Sequence, residues 1–229
     1  MTKPEKSKPA ELTKFKPYYQ TILTLIELNL TWFVMSIPII TLFPALGGLY
    51  TAIPACNPGK QVGRHKLYDG FKQFWSITLL WGVVVSLGFV VLGVLLWLFL
   101  TLEGGFALIA QITAIITIVL WTAFNQFSLP LLLIQKKKHI LFAIRNGYVI
   151  CIRRPLTALK VILTCLLITA VSILWPPLWV FISFALIAQI QTQATLKAVE
   201  EIRQEDATRD AIKSHHESKD HSEDTGLQQ

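Results

Sequence analysis

Residues 19–55 read YQTILTLIELNLTWFVMSIPIITLFPALGGLYTAIPA. Apolar side chains dominate from end to end, over nearly twice the about 20 residues that one helical crossing of a bilayer needs. The centre carries Pro38, Pro44 and the pair Gly47-Gly48. Proline has no N–H with which to continue a helical ladder, and glycine lets a neighbouring backbone come close. Length and breakers together predict an outward helix over Tyr19–Ile37, a break, and a return over Pro44–Ala55. The return is short. At about 1.5 Å per residue it covers roughly 18 Å, against a hydrocarbon core about 30 Å thick. It is read as a helix that reaches the inner face, with a re-entrant half-helix shielded by its neighbours as the alternative.

Three more long apolar runs follow, and composition agrees with a polytopic membrane protein. Charged residues make up 15% of the chain, where a soluble domain carries about 25%. No signal peptide is expected, because the lysine-rich start lacks a short apolar core followed by a small-residue cleavage site. The net charge of +7 is not a nucleic-acid footprint, because it is concentrated in three segments next to apolar runs. The arm before Tyr19 carries Lys3, Lys6, Lys8, Lys14 and Lys16 against Glu5 and Glu11. Lys60, Arg64, Lys66 and Lys72 face Asp69 alone, and Lys136, Lys137, Lys138, Arg145, Arg153 and Arg154 face no acid.

Cytoplasmic loops collect Lys and Arg. With all three segments cytoplasmic, the chain crosses an even number of times between them. The run from Trp75 to Leu100 turns at Glu103 and returns over Phe106–Leu133; the run from Leu156 turns at Pro176-Pro177 and returns to Leu196. The expected architecture is all-α, a polytopic transmembrane helix bundle of about six membrane segments with both termini cytoplasmic. Trp97, Trp175 and Trp179 fall at the proposed outer face, and Tyr18, Tyr19, Trp75 and Tyr148 at the inner, as interfacial aromatics do. Residues 1–18 form a basic arm, 19–197 the transmembrane domain and 198–229 a charged tail.

Two inner stretches have the pattern of amphipathic interfacial helices. Gly63–Phe74 places Leu67, Gly70, Phe71 and Phe74 at helical spacing among Arg64, Lys66 and Lys72. Over Ile140–Ile152, Ile140, Leu141, Ile144, Tyr148 and Ile152 share a face that excludes Arg145 and Asn146. Anchoring to anionic lipid needs only this positive charge, at about 1 kcal/mol per basic residue. The sharper reading makes Arg145, Asn146, Arg153 and Arg154 a docking surface for a cytoplasmic partner.

Polar residues inside the spans are the other candidates: Glu27 and Asn29 in the first, Asn125 and Gln126 in the fourth, and Gln189, Gln191 and Gln193 in the last. An acid at membrane depth is a functional candidate by default, whereas Asn and Gln between helices commonly serve as hydrogen-bonded glue. No basic residue stands at matching depth to Glu27 in another span. Enzyme chemistry finds no support, and no cofactor or metal is expected. Cys56, Cys151 and Cys165 lack metal or redox spacing, and His65 and His139 read as solvated beside lysines. From Lys197 onward acids outnumber bases nine to five. With His215, His216 and His221 and few apolar residues, the tail cannot fold alone; the last helix is expected to end near Arg203, with disorder beyond about residue 204.

Several motifs resemble the YesL family of bacterial integral membrane proteins: Leu28-Asn29-Leu30-Thr31-Trp32, Ser36-Ile37-Pro38-Ile39-Ile40-Thr41, Pro44-Ala45 and Gly48-Leu49-Tyr50. The similarity continues at Phe71-Lys72-Gln73-Phe74-Trp75, Leu129-Pro130-Leu131-Leu132, Arg145-Asn146 and Arg153-Arg154-Pro155, over roughly residues 15 to 197. The resemblance implies a bacterial cell-membrane protein of unassigned activity, associated with carbohydrate uptake and use. It carries no catalytic residues, and the acidic tail lies outside the family's pattern. Two functions are therefore weighed. One is an accessory or regulatory membrane component whose partners are the bilayer, anionic lipid at its inner face, and a transporter subunit or other membrane protein. The alternative is a small-solute carrier or channel lined by the broken first block, since discontinuous helices point to transporter sites.

Overall fold

Pro38 marks the end of the first helix. The computed structural model describes residues 10–55, 64–135 and 138–226, with the side chains of 19–54, 64–135 and 138–212. In it, α1 spans Ala10–Met35 and α2 spans Leu42–Ala52, with short 3₁₀ turns at Ile39–Thr41 and Ile53–Ala55. The bend between them is closed by Thr41, whose hydroxyl lies 2.5 Å from the Met35 carbonyl and 2.6 Å from that of Pro38. The contact with Met35 serves one of the last carbonyls of α1, which have no intrahelical N–H partner. Pro44 is tolerated because it falls in the first turn of α2, where backbone N–H groups have no intrahelical partner anyway.

The remaining helices are α3 (Arg64–Leu100), α4 (Gly105–Ile134), α5 (Ile140–Arg153), α6 (Pro155–Leu174) and α7 (Phe184–Gly226), the last entered through a π-helical turn at Trp179–Ser183. No strand occurs among the described residues. Among the described residues four helical stretches are long and apolar enough to cross a membrane: Arg64–Leu100, Gly105–Ile134, Pro155–Leu174 and Trp179–Ile212. The chain is a membrane protein with an all-helical fold. α1 is not among the four, and Ile39–Ala52 is apolar but short.

Packing is tightest where α2 lies along the first half of α3. A Cβ on Gly48 would stand 2.5 Å from the Leu67 carbonyl oxygen, and one on Gly70 would stand 3.2 Å from the Gly48 Cα while striking the Thr51 hydroxyl. The two glycines are the contact, backbone against backbone, so neither can accept a side chain without moving a helix. The amphipathic stretch expected over Gly63–Phe74 is, from Arg64 on, the opening turns of α3, and Leu67 and Gly70 are buried under α2. It is one helix because nothing between Arg64 and Trp75 breaks it.

α5 occupies the expected range and packs into the bundle largely through residues other than those of its expected apolar face. Its buried residues are Ile140, Ala143, Gly147 and Ile150; Leu141, Tyr148 and Ile152 are exposed. The small residues decide this, since a Cβ on Gly147 would stand 2.6 Å from the Phe124 carbonyl of α4. The tail also differs from expectation. The backbone of α7 stays helical past Arg203 to Gly226, and acids on its extension pair with arginines at the α5–α6 joint. The arm before Ala10, Lys60, Cys56, Lys136 and Lys137 lie outside the described residues.

Candidate functional site

The polar residues expected within the spans fall into three separate places. The first is built on Asn29. It is fully buried, and its amide Nδ2 donates to the carbonyls of Val180 (2.6 Å) and Trp179 (3.0 Å), while its Oδ1 accepts from the Ala185 N–H (2.9 Å). Val180 and Ala185 are five residues apart, the spacing that a π-turn bond would join. One side-chain amide therefore bridges both ends of that link and ties α1 to the opening of the last helix. Around it Trp32 packs on Phe184 with ring centres 4.1 Å apart, and the hydroxyls of Ser172 and Ser183 meet at 2.6 Å. Asn29 answers backbone groups that would otherwise be orphaned.

The second place is a buried node at Gln191 of α7. Its carbonyl oxygen accepts from the Tyr50 hydroxyl of α2, and its NH₂ donates to the Oε1 of Gln126 on α4. Cys165 of α6 lies 3.8 Å from the same nitrogen. Asn125 turns aside: it donates to the Trp121 carbonyl of its own helix at 2.8 Å, and Ser128 beside it accepts from the Trp81 indole at 2.9 Å. A cavity of about 220 Å³ touches Tyr50, Asn125, Gln126 and Gln191 and is otherwise lined mainly by apolar side chains such as Leu46, Val85 and Phe89. That is below the roughly 300–1,000 Å³ of sites that enclose a small ligand. Amides and a phenol that satisfy one another supply neither a nucleophile nor a base.

The third place holds Glu27. The expectation that no base matches its depth is corrected here: Arg64, at the start of α3, approaches it with Nε 2.7 Å from Oε1. α3 begins eleven residues before Trp75, so a residue expected on an interfacial helix outside the spans becomes a neighbour of α1. The pair sits at the bundle surface, with side chains 72% and 41% exposed, in an open groove along α1 lined by Leu23, Ile26, Leu30 and Val34. Glu27 reaches neither Asn29's partners nor the Gln191 node.

The four residues of the expected docking surface also separate. Arg145 is exposed and Asn146 lines a cleft beside α7. Arg153 pairs with Asp206 at 2.8 Å, and Arg154 pairs with Glu205 and with Glu201 at 3.5 Å. Their carboxylate partners are therefore internal, carried on α7 one turn apart so that they share a helix face. Nearby, Lys138 donates to the Leu133 carbonyl and stands 4.8 Å from the centre of the Phe74 ring, and burial holds its ammonium below the ordinary lysine range. Tyr50 and Ser128, which the sequence did not mark as candidates, take part in the buried polar contacts. A tyrosine and a serine inside apolar runs need hydrogen-bond partners, which is the signal that could have found them.

No family model matches the chain, and no curated protein or solved structure matches it either.

Proposed function

We propose that the protein is an accessory or regulatory component of the bacterial cell membrane, linked to carbohydrate uptake or use as the YesL resemblance implies. It has six membrane segments, counting α1 and the short α2, and both termini are cytoplasmic. Its working surface is the face shared by α5 and the charged extension of α7. The observation that carries this reading over a carrier is the separation of the polar candidates. Glu27 is paired at the surface, Asn29 is consumed by backbone groups of the last helix, and Gln126 is consumed by Gln191. A carrier needs polar groups converging on one path with capacity to spare, and these groups hold the helices together instead.

Arg145 is an exposed cation that α5 brings to that surface, while Arg153 and Arg154 shape it by clamping α7. The test is affinity purification from native membranes of the parent and of Arg145→Glu. Loss of a reproducible co-purifying membrane protein at an unchanged membrane level supports the reading. Retention of every partner, or no reproducible partner in the parent, defeats it. Topology is tested separately by cysteine labelling from outside the cell. A cysteine at position 103 should be modified and one at position 66 spared; modification at 66 would remove the return crossing of α2.

A further inference from the structure

Where α4 ends, a cleft of about 620 Å³ opens between α4, α5 and α7. Its wall is aliphatic: Leu131 and Ile134 from α4, Val149 and Ile150 from α5, Val199 and Ile202 from α7. Among the described residues no aromatic ring lines it, so it suits a flexible chain better than a planar ring. Its volume lies within the range of sites that enclose small ligands. One polar side chain in it is unexplained. Gln135 lines the cleft, and both its Oε1 and its Nε2 are buried without a hydrogen-bond partner among the described residues. An unmet amide offers an acceptor and two donors together, and native structures leave few such groups unanswered. Among the described residues the charges at the rim balance: Arg203 stands with Asp206 and Asp210, and Asp206 is already paired with Arg153. That balance favours neither a cationic nor an anionic head.

We infer that this cleft binds a neutral single-chain amphiphile, with its chain against the aliphatic wall and a hydroxyl or amide head on Gln135. The inference does not depend on the accessory function proposed above. The test uses the full-length protein in lipid nanodiscs and a photoreactive monoacylglycerol as probe. Expected is saturable labelling that maps to residues 131–150 or 199–210. Unlabelled monoacylglycerol should compete at least tenfold better than a fatty acid or an alkyl-trimethylammonium of equal chain length. Val199→Trp, which fills the cleft from an exposed position, should cut labelling at least tenfold. Gln135→Leu should also cut it while leaving the melting temperature unchanged or raised, because it removes an unanswered amide. A ligand drawn from the bilayer co-purifies and is seen by mass spectrometry, whereas a soluble one must be added; either source upholds the site. Labelling that does not saturate, is indifferent to both substitutions, or is competed equally by charged amphiphiles would overturn it. So would a lowered melting temperature in Gln135→Leu, which would show that the amide is satisfied within the protein.

Discussion

The two halves of the α3–α4 hairpin, the half that holds Trp81 and Ser128 and the half that meets at the Gly104 turn, are held in different ways. Below Gly88, α3 is gripped by α2 through Gly48 and Gly70, and Trp81 donates to Ser128 across to α4. Beyond Gly88, where the Trp121 ring fills the space a side chain would need, α3 has no buried residue and α4 buries only Ala107 and Ala114. Val90, Val94, Ile112 and Ile116 all face outward. Lipid tails are as apolar as these side chains, so apolarity alone gives helices no reason to choose one another. Specific packing in this bundle comes from small residues that admit a backbone and from amides that answer backbone groups. The outer half of the hairpin keeps one such device, the Gln111 amide donating to the Phe99 carbonyl at 3.0 Å, among side chains that mostly face outward.

That contrast can be broken by substitution. Gly48→Leu should have the largest effect, because the new side chain meets the Leu67 carbonyl rather than a flexible side chain. We expect a loss of about 3 kcal/mol or more, at the upper end of overpacking costs, seen as a collapse of folded protein in detergent; unchanged melting would place the glycine against lipid. Asn29→Leu keeps the branched shape, in a somewhat larger side chain, and removes three hydrogen bonds. With buried groups left unpaired at about 1–3 kcal/mol each and some relaxation of the turn, the expected loss is about 2–4 kcal/mol. Glu27→Gln removes an ion pair that is open to its surroundings, and the loss should stay under about 1 kcal/mol. Smallest of all is Val94→Ala combined with Ile116→Ala, expected within about 0.5 kcal/mol of the parent as for surface changes. A large destabilisation there would mean that the outer hairpin has a protein partner and would end the contrast.

Much of the framework was legible because membrane constraints act through composition. The turns at Gly104 and Pro176 and the break at Pro38 follow from breakers set between apolar runs, and Gly47-Gly48 announced a close helix contact. The face by which α5 packs into the bundle was not legible because its apolar residues outnumber its small ones, although Ala143 and Gly147 are what a tight interface selects. The start of α3 was misplaced because charge among Arg64, Lys66 and Lys72 reads as a surface stretch, while helix continuity depends only on the absence of a breaker. The partners of Glu27 and Asn29 were not legible at all. Both depend on which helices become neighbours, and nothing local to Val180 signals that its carbonyl needs an amide from α1. The extension of α7 was undervalued for a similar reason: its acids look like a solvated tail until Arg153 and Arg154 are placed beside them.

The account rests most heavily on Asn29 standing between Val180 and Ala185. Hydrogen exchange at the Ala185 amide, measured in nanodiscs for the parent and for Asn29→Leu, tests this directly. In the parent the N–H is buried and bonded to the Asn29 side chain, so it should exchange as slowly as its helical neighbours. In the variant its exchange should rise about tenfold for each 1.4 kcal/mol of protection lost, while amides between Ile115 and Leu120 in the outer hairpin stay unchanged. Equal protection of Ala185 in both proteins would contradict the account, because the last helix would then close its own ladder without α1.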